Sequence, residues 1–309
     1  MPRMRCTAFY LLIRRIQKQI TNRIMPKQTI IIESKSQLSV KNGLLSIVRD
    51  DNGEVLRSFE DVQTLLIEHH SVSLTIPLLN KLSENQILVI FCNDKHYPQS
   101  MLMDLETNSL QTKYFRKQVE MSLPLKKQIW KQIVEAKIRN QSLLLNELFQ
   151  CGDLLSGYYN NVKSGDASNR EGVAANCYWK KLLGKGFIRD RYGKTPNNML
   201  NYGYALLRSA MARSLMDSGL MPTLGVFHRN YFNSFPLADD IMEPYRPFVD
   251  RKVYEYYQSG KTEVDKQFKV GMLELFYSDL KRDVLTKTTA SLVNILCQTS
   301  RVISYPEFK

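Results

Sequence analysis

The chain has 309 residues, 43% of them hydrophobic, enough to bury the core of one or two domains and to exclude a disordered polypeptide. Its 43 Lys and Arg against 30 Asp and Glu leave a formal charge of +13 and a pI near 9.4. That balance points to a polyanionic partner, nucleic acid or an anionic membrane surface, and speaks against a hydrolase of small phosphate esters.

Residues 1–24 carry six basic residues and no acid around the short apolar run AFYLLI. A membrane span needs about 20 apolar residues, so this segment is expected to be a basic extension or small helix, outside the native domain, which begins near Met25. No later stretch resembles a membrane span, and no membrane partner is expected. From residue 28 to 100 the chain runs through TIIIE, QLSV, EVLRSF, SVSLTI and ILVIFC, broken by turn residues. Asn42–Gly43 and Asn52–Gly53 tolerate the positive φ of a type I′ turn, the strongest local hairpin signal. A mainly antiparallel β domain is predicted over residues 25–100, interrupted by one short helix at PLLNKLSEN, with a linker at 101–108.

Helical periodicity takes over from residue 109 to 309. Ser122 with Pro124 marks a helix start, followed by Leu125, Ile129, Ile133 and Ile138 at helical spacings. Thr195, Pro196 and Gly219 read as N-cap, first helical residue and stop of a second long helix. The fold class is therefore α+β, a β domain followed by a larger all-helical one. The cysteines form no CxxC pair and no regular spacing, so neither a disulfide framework nor a structural zinc site is indicated and a reducing cytoplasm is expected.

Chemistry concentrates in two places. The segment GVFHRNYFNSFPLADDIMEPYRPFVD, residues 225–250, places His228 before Asp239, Asp240 and Glu243. A helix starting near Ser234 and Pro236 puts Glu243 on one face with both aspartates, and Pro244 is expected to bend or open it there. Asp239 and Asp240 also suit the helix dipole. The second place is Glu171, at the start of a helix with small residues Gly172, Ala174 and Ala175. It is a candidate third ligand and, with Ser168, equally matches an S-x-x-E capping box. Between Lys163 and Lys194 eight basic residues face three acids, a cluster able to neutralise phosphates. His69, His70 and His96 lack acids in a fixed pattern and are read as structural.

The strings NREGVAANCYWKKLLG, NMLNYGYALLRSAMARSLMDSGLMPTLGVFH and FPLADDIMEPYRPFVD together resemble the CRISPR-associated spacer-acquisition endonuclease/integrase, the Cas one family, of the kind found with type II systems. The resemblance runs from Met25 to Lys309 and makes the helical part the catalytic domain. It implies that Glu171 of E-G-x-A-A, His228 of G-x-x-H and Glu243 of the following acidic motif hold a divalent metal, Mg2+ or Mn2+, and carry catalysis. Many relatives have Asp where this chain has Glu243, a longer side chain that alters the metal geometry. Asp240 matches a further acid used by some members. Residues 1–24 match nothing in the family pattern.

Two carboxylates and one imidazole leave coordination positions for water and phosphate oxygens. With water as nucleophile such a site cleaves DNA, and with a 3′-hydroxyl it joins two DNAs; residue chemistry alone does not choose. The resemblance implies joining, the insertion of short foreign fragments into a CRISPR array. It further implies a homodimer, a second Cas protein with two such dimers around one partner dimer, and the type II effector nuclease as an associate. Double-stranded DNA is the expected substrate, with Arg229, Arg246, Arg251, Lys180, Lys181 and Arg189 as candidate phosphate contacts. For Arg246 a salt bridge with Glu243 or Asp250 is an equal reading. The alternative function is a non-catalytic basic DNA-binding scaffold whose His and acids form buried ion pairs.

Overall fold

The computed structural model describes residues 27–50, 53–228 and 230–308. The expected basic extension at 1–24 and the candidate phosphate contact Arg229 lie outside them. The strand-rich N-terminal region comprises β1 (Gln28–Ile32), β2 (Ser36–Lys41), β3 (Leu44–Arg49), β4 (Gly53–Arg57), β5 (Val62–Ile67), β6 (Val72–Leu74), β7 (Leu88–Cys92) and β8 (Pro98–Met101), with α1 (Ile76–Glu84) between β6 and β7. The strands form two four-stranded sheets, in the orders β1-β5-β7-β8 and β4-β3-β2-β6.

The Asn42–Gly43 signal is realised: both residues have positive φ, 52° and 75°, and Lys41 pairs with Leu44 across the turn. The expectation of mainly antiparallel pairing needs correction in detail. Three pairings are antiparallel, and β1 with β5, β5 with β7 and β2 with β6 are parallel. Parallel neighbours need a crossover, which the β2–β4 meander supplies between β1 and β5 and α1 between β5 and β7. Leu65, Ile67 and Val89 face the inter-sheet core, while Leu66, Leu88 and Ile90 face the helical core. A sheet covered on both faces explains why TLLI and ILVIF are continuous apolar runs.

The helical domain follows with α2 (Gln111–Val119), α3 (Leu123–Phe149), α4 (Ser156–Tyr159), α5 (Arg170–Leu183), α6 (Asn197–Asp217), α7 (Pro236–Met242), α8 (Arg246–Gln258), α9 (Lys266–Glu274) and α10 (Arg282–Leu296). Ser122 caps α3 as expected, accepting the amide of Leu125. Pro196, rather than Thr195, occupies the N-cap of α6, and Gly219 leaves that helix with φ of 75°. Within α6, Gly203 permits the approach of α8: a Cβ there would sit 2.4 Å from Val249 Cγ1. The buried stripe of α3 runs through Trp130, Ile133, Val134, Lys137, Ile138 and Gln141, with one lysine in phase with the apolar residues. No helix among the described residues is long and apolar enough to cross a membrane.

Candidate active site

The site is assembled around that lysine. Glu171 enters from the first turn of α5. Of the two readings of Glu171, the capping box does not form, because Asn169, with φ of 50°, caps the helix by accepting the amide of Gly172, and Asp166 accepts the amides of Arg170 and Glu171 at 2.8 and 3.0 Å. A Cβ at position 172 would meet Asn169 Oδ1 at 2.8 Å, so the glycine after Glu171 makes room for the cap. With the backbone satisfied by others, the Glu171 carboxylate turns inward and accepts from Lys137 Nζ at 2.6 Å.

Glu243 arrives from the opposite side. α7 ends at Met242, a 3-10 turn spans Glu243–Tyr245, and α8 begins at Arg246, as the proline at 244 foretold. One oxygen of the buried Glu243 carboxylate lies 2.9 Å from Arg246 Nη2, the salt bridge foreseen as one of two readings for that arginine. The other lies 2.6 Å from Lys137 Nζ without hydrogen-bonding geometry. Burial pushes the Glu243 carboxyl up, but Arg246 and Lys137 outweigh it and hold the group below the ordinary value. For Lys137 burial acts downward, and Glu243 and Glu171 together raise it above the usual lysine range.

His228 sits on the loop before α7. Fully buried Asp240 organises that loop: Oδ2 accepts the amides of Val226 and Phe227 at 2.7 and 3.0 Å, and Oδ1 takes the His228 amide at 3.3 Å and Nδ1 at 2.5 Å. The hydrogen bond to Asp240 raises the imidazole pKa against the opposing effect of burial. Trp130 from α3 stacks on Phe227 at 4.0 Å and meets the imidazole edge at 5.8 Å. Asp239 instead binds Arg208 through both oxygens, at 2.6 and 2.8 Å. The expectation that Glu243 would share a face with both aspartates is thus corrected: each buried acid turns to its own cationic or imidazole partner.

A cavity of about 680 Å³ opens on this face, lined by Pro98 to Met101 of β8, Arg208 of α6, Arg191, His228 and Phe232. A second of similar volume, lined by Lys95, Tyr204 and Arg246, shares Pro98, Arg191, Ala205 and Arg208 with it, so the two form one basic groove. Tyr231 and Phe232 stand almost fully exposed beside His228.

Residues 29–289 match the family model described as CRISPR associated protein Cas1. The chain belongs to the Cas1 family. It is 34% identical over 243 residues to a CRISPR-associated endonuclease Cas1 of Neisseria meningitidis serogroup C (strain 8013), covering 78% of this chain and 79% of that one. In fold it resembles a casposase bound to integration product, with TM-score 0.75 at 20% identity over 91% of this chain and 94% of the other. A chain of a Cas6-RT-Cas1 and Cas2 complex superposes with TM-score 0.68 at 20% identity, over 92% of this chain and 36% of that one.

Of the residues assigned by family resemblance, the fold brings Glu171 and Glu243 onto one cationic nitrogen and places His228 on the adjoining loop. Among the described residues no three His, Cys, Asp or Glu side chains converge as a metal-holding group. The donors nevertheless suit a hard divalent cation. Two carboxylates already embrace a positive charge, the second Glu243 oxygen meets that charge as an ion pair with Lys137, and His228 is held at Nδ1 by a carboxylate, the usual support of an imidazole that ligates through Nε2. Both oxygens of Asp240 are engaged by the His228 loop, which makes it a support of that loop. Arg246 lines the groove under Tyr204, whereas Arg251 pairs with Asp279 at 3.0 Å and Glu147 at 3.6 Å and does not join the site. Arg189 donates to Asn197 and Asn201. Lys180 and Lys181 are exposed on α5, and neither lines the groove. Arg191, one of the eight basic residues between Lys163 and Lys194, does line the groove; Lys137 and Arg208 went unnoticed in the sequence, and of the two Lys137 left a signal there, a charge in the apolar phase of α3.

Behind Arg246, fully buried Asp250 accepts from Tyr178 at 2.7 Å and from Tyr204. Burial pushes its carboxyl from 3.8 up to about 6, against the opposing effect of the two hydroxyls and Arg246. A folded-state pKa above the unfolded one gives stability that is full below about pH 4 and lost as pH rises through about 6. Asp250→Asn should remove this component. In urea unfolding, the stability of the variant relative to the unsubstituted chain is expected to rise by roughly 2 kcal/mol from pH 4 to pH 7, and a constant difference would contradict it.

Proposed function

We propose that the chain is a divalent-metal-dependent DNA endonuclease/integrase that inserts short DNA fragments into a CRISPR array. The observation that carries the reading is the meeting of Glu171 and Glu243, 72 positions apart in the sequence, on one cationic nitrogen beside an imidazole fixed by Asp240. Membership of the Cas1 family, the +13 charge and the basic groove support it.

Glu171, Glu243 and His228 would hold Mg2+ or Mn2+, which supplies Lewis-acid polarisation of a phosphate and stabilises charge on the attacking or leaving oxygen. Asp240 accepts the Nδ1 proton of His228 and so leaves Nε2 as the donor atom. Arg246 neutralises the second oxygen of Glu243 and fixes the carboxylate plane. Arg191 and Arg208 line the groove along which a DNA strand would reach the site, Arg208 held in place by Asp239. In the joining reaction the 3′-hydroxyl oxygen of the fragment gives up its proton and attacks phosphorus, the new phosphodiester bond forms as the P–O3′ bond of the target strand breaks, and the displaced target strand leaves with a protonated 3′-hydroxyl. With water instead, the same displacement cuts. Two strand joints at fixed separation require two such sites, which supports a homodimer. The fold shared with a chain of a Cas1 and Cas2 complex supports a second Cas protein as partner, and the type II effector nuclease remains part of the proposal.

One observation favours the scaffold reading: Glu171, Asp239 and Glu243 already have basic partners, and Asp240 pairs with His228. The two separate in a strand-transfer assay, in which a short duplex with 3′-hydroxyls is offered to a supercoiled plasmid carrying a CRISPR repeat, with the small Cas partner present. Joining that requires Mg2+ or Mn2+ is expected. Plasmid binding without cutting or joining under either metal would establish the scaffold.

A further inference from the structure

Lys137 is the least expected charge in the site. It occupies the buried stripe of α3, its side chain is 11% exposed, and its ammonium lies 2.6 Å from both Glu171 Oε1 and Glu243 Oε2. Helix geometry fixes where its stem begins, and the apolar neighbours of the stripe leave those two carboxylates as the charged partners within reach. We infer that Lys137 is a built-in cation that holds the two carboxylates together in the ion-free protein, and that a divalent ion enters by displacing its ammonium. The inference rests on the reading of Glu171, His228 and Glu243 as metal ligands, and adds that the chain itself carries a competitor for the metal.

Charge and geometry both require the competition. Glu171, Glu243 and Asp240 contribute three negative charges, and Lys137 and Arg246 two positive ones, beside the imidazole of His228. A dication added to a neutral imidazole with the ammonium in place would leave an excess positive charge away from water, which the interior disfavours. Arg246 is held by its pairing with Glu243 Oε1 and by the Tyr204 ring at 4.5 Å. Lys137, on a flexible four-carbon stem and held through its ammonium alone, is the cation that can leave. Its presence spares the ion-free protein the repulsion of two buried carboxylates and sets a threshold concentration for the metal.

The test is Mn2+ binding by calorimetry to the full chain and to Lys137→Met, Lys137→Arg and Glu171→Gln, with thermal unfolding of each. Lys137→Met is expected to bind Mn2+ more tightly by on the order of 10-fold, to melt lower than the unsubstituted chain without metal, and to gain more from Mn2+. Lys137→Arg, which keeps a cation there, should bind no more tightly than the unsubstituted chain. Equal or weaker binding by Lys137→Met overturns the inference. Should that variant not fold, the unsubstituted chain decides: the Lys137 ammonium proton–nitrogen resonance must shift on addition of Mg2+, and an unmoved resonance at saturating Mg2+ overturns the displacement. Failure of the underlying reading looks different, with no Mn2+ bound by the unsubstituted chain and no difference in Glu171→Gln.

Discussion

Glu243→Gln is expected to lower metal-dependent DNA joining by about 10³-fold or more, the rate equivalent of several kcal/mol of charge stabilisation supplied through a metal ligand. The substitution keeps the shape of the side chain and removes its charge, so the loss follows from the ligand and not from packing. Glu243→Ala goes further. It leaves Lys137 and Arg246, both confined beside the turn at Glu243–Tyr245, facing each other without their shared anion. Uncompensated buried charge of this kind costs about 3–5 kcal/mol. Joining assays with both variants, together with urea unfolding, read the two effects: both variants lose the shared anion and with it stability, Gln less than Ala because its amide oxygen still accepts from one of the two cations and its side chain fills the same space. Equal joining by Glu243→Gln and the unsubstituted chain would remove Glu243 from the metal site.

Asp240→Ala carries the second large effect, and it falls on the fold of the site. Asp240 is fully buried and gathers three backbone amides and the imidazole of His228. Removing it leaves the buried amide of Val226 and the part-buried amides of Phe227 and His228 without their acceptor and frees the histidine to turn. A stability loss of about 3–5 kcal/mol is expected from breaking such a buried charged network, with joining abolished because Nε2 no longer has a fixed direction. Asp240→Asn retains one acceptor oxygen and places an amide where the carboxylate received protons. It should be less destabilised and still defective in joining. The measurements are urea unfolding and strand transfer. Full activity in Asp240→Asn would contradict the role of this carboxylate in setting the imidazole.

Several parts of this structure were legible because they depend on local rules. Asn42–Gly43 demands positive φ, Ser122 supplies a cap, and Pro244 interrupts the helix carrying the acids; each is found where the residue type requires it. Sheet pairing was less legible, since hairpin residues announce only the β2–β4 meander, while the parallel contacts of β1, β5 and β7 depend on crossovers between distant segments. The capping reading of Glu171 failed because Asp166 and Asn169 satisfy the same amides first. The acids at 239, 240 and 243 were visible as a group, but their separate directions were not, since those are set by Arg208, His228 and Lys137 arriving from other elements. Lys137 was the one missed residue with a trace in the sequence, a basic side chain in register with Trp130, Ile133 and Val134.

The claim that Glu171, His228 and Glu243 form a metal site is tested most directly by anomalous diffraction from crystals grown with saturating Mn2+. The expected result is one peak within roughly 2.0–2.4 Å of a carboxylate oxygen of Glu171, one of Glu243 and Nε2 of His228, with the Lys137 ammonium moved away. A map without a peak there, and with Lys137 still between the two carboxylates, would contradict it.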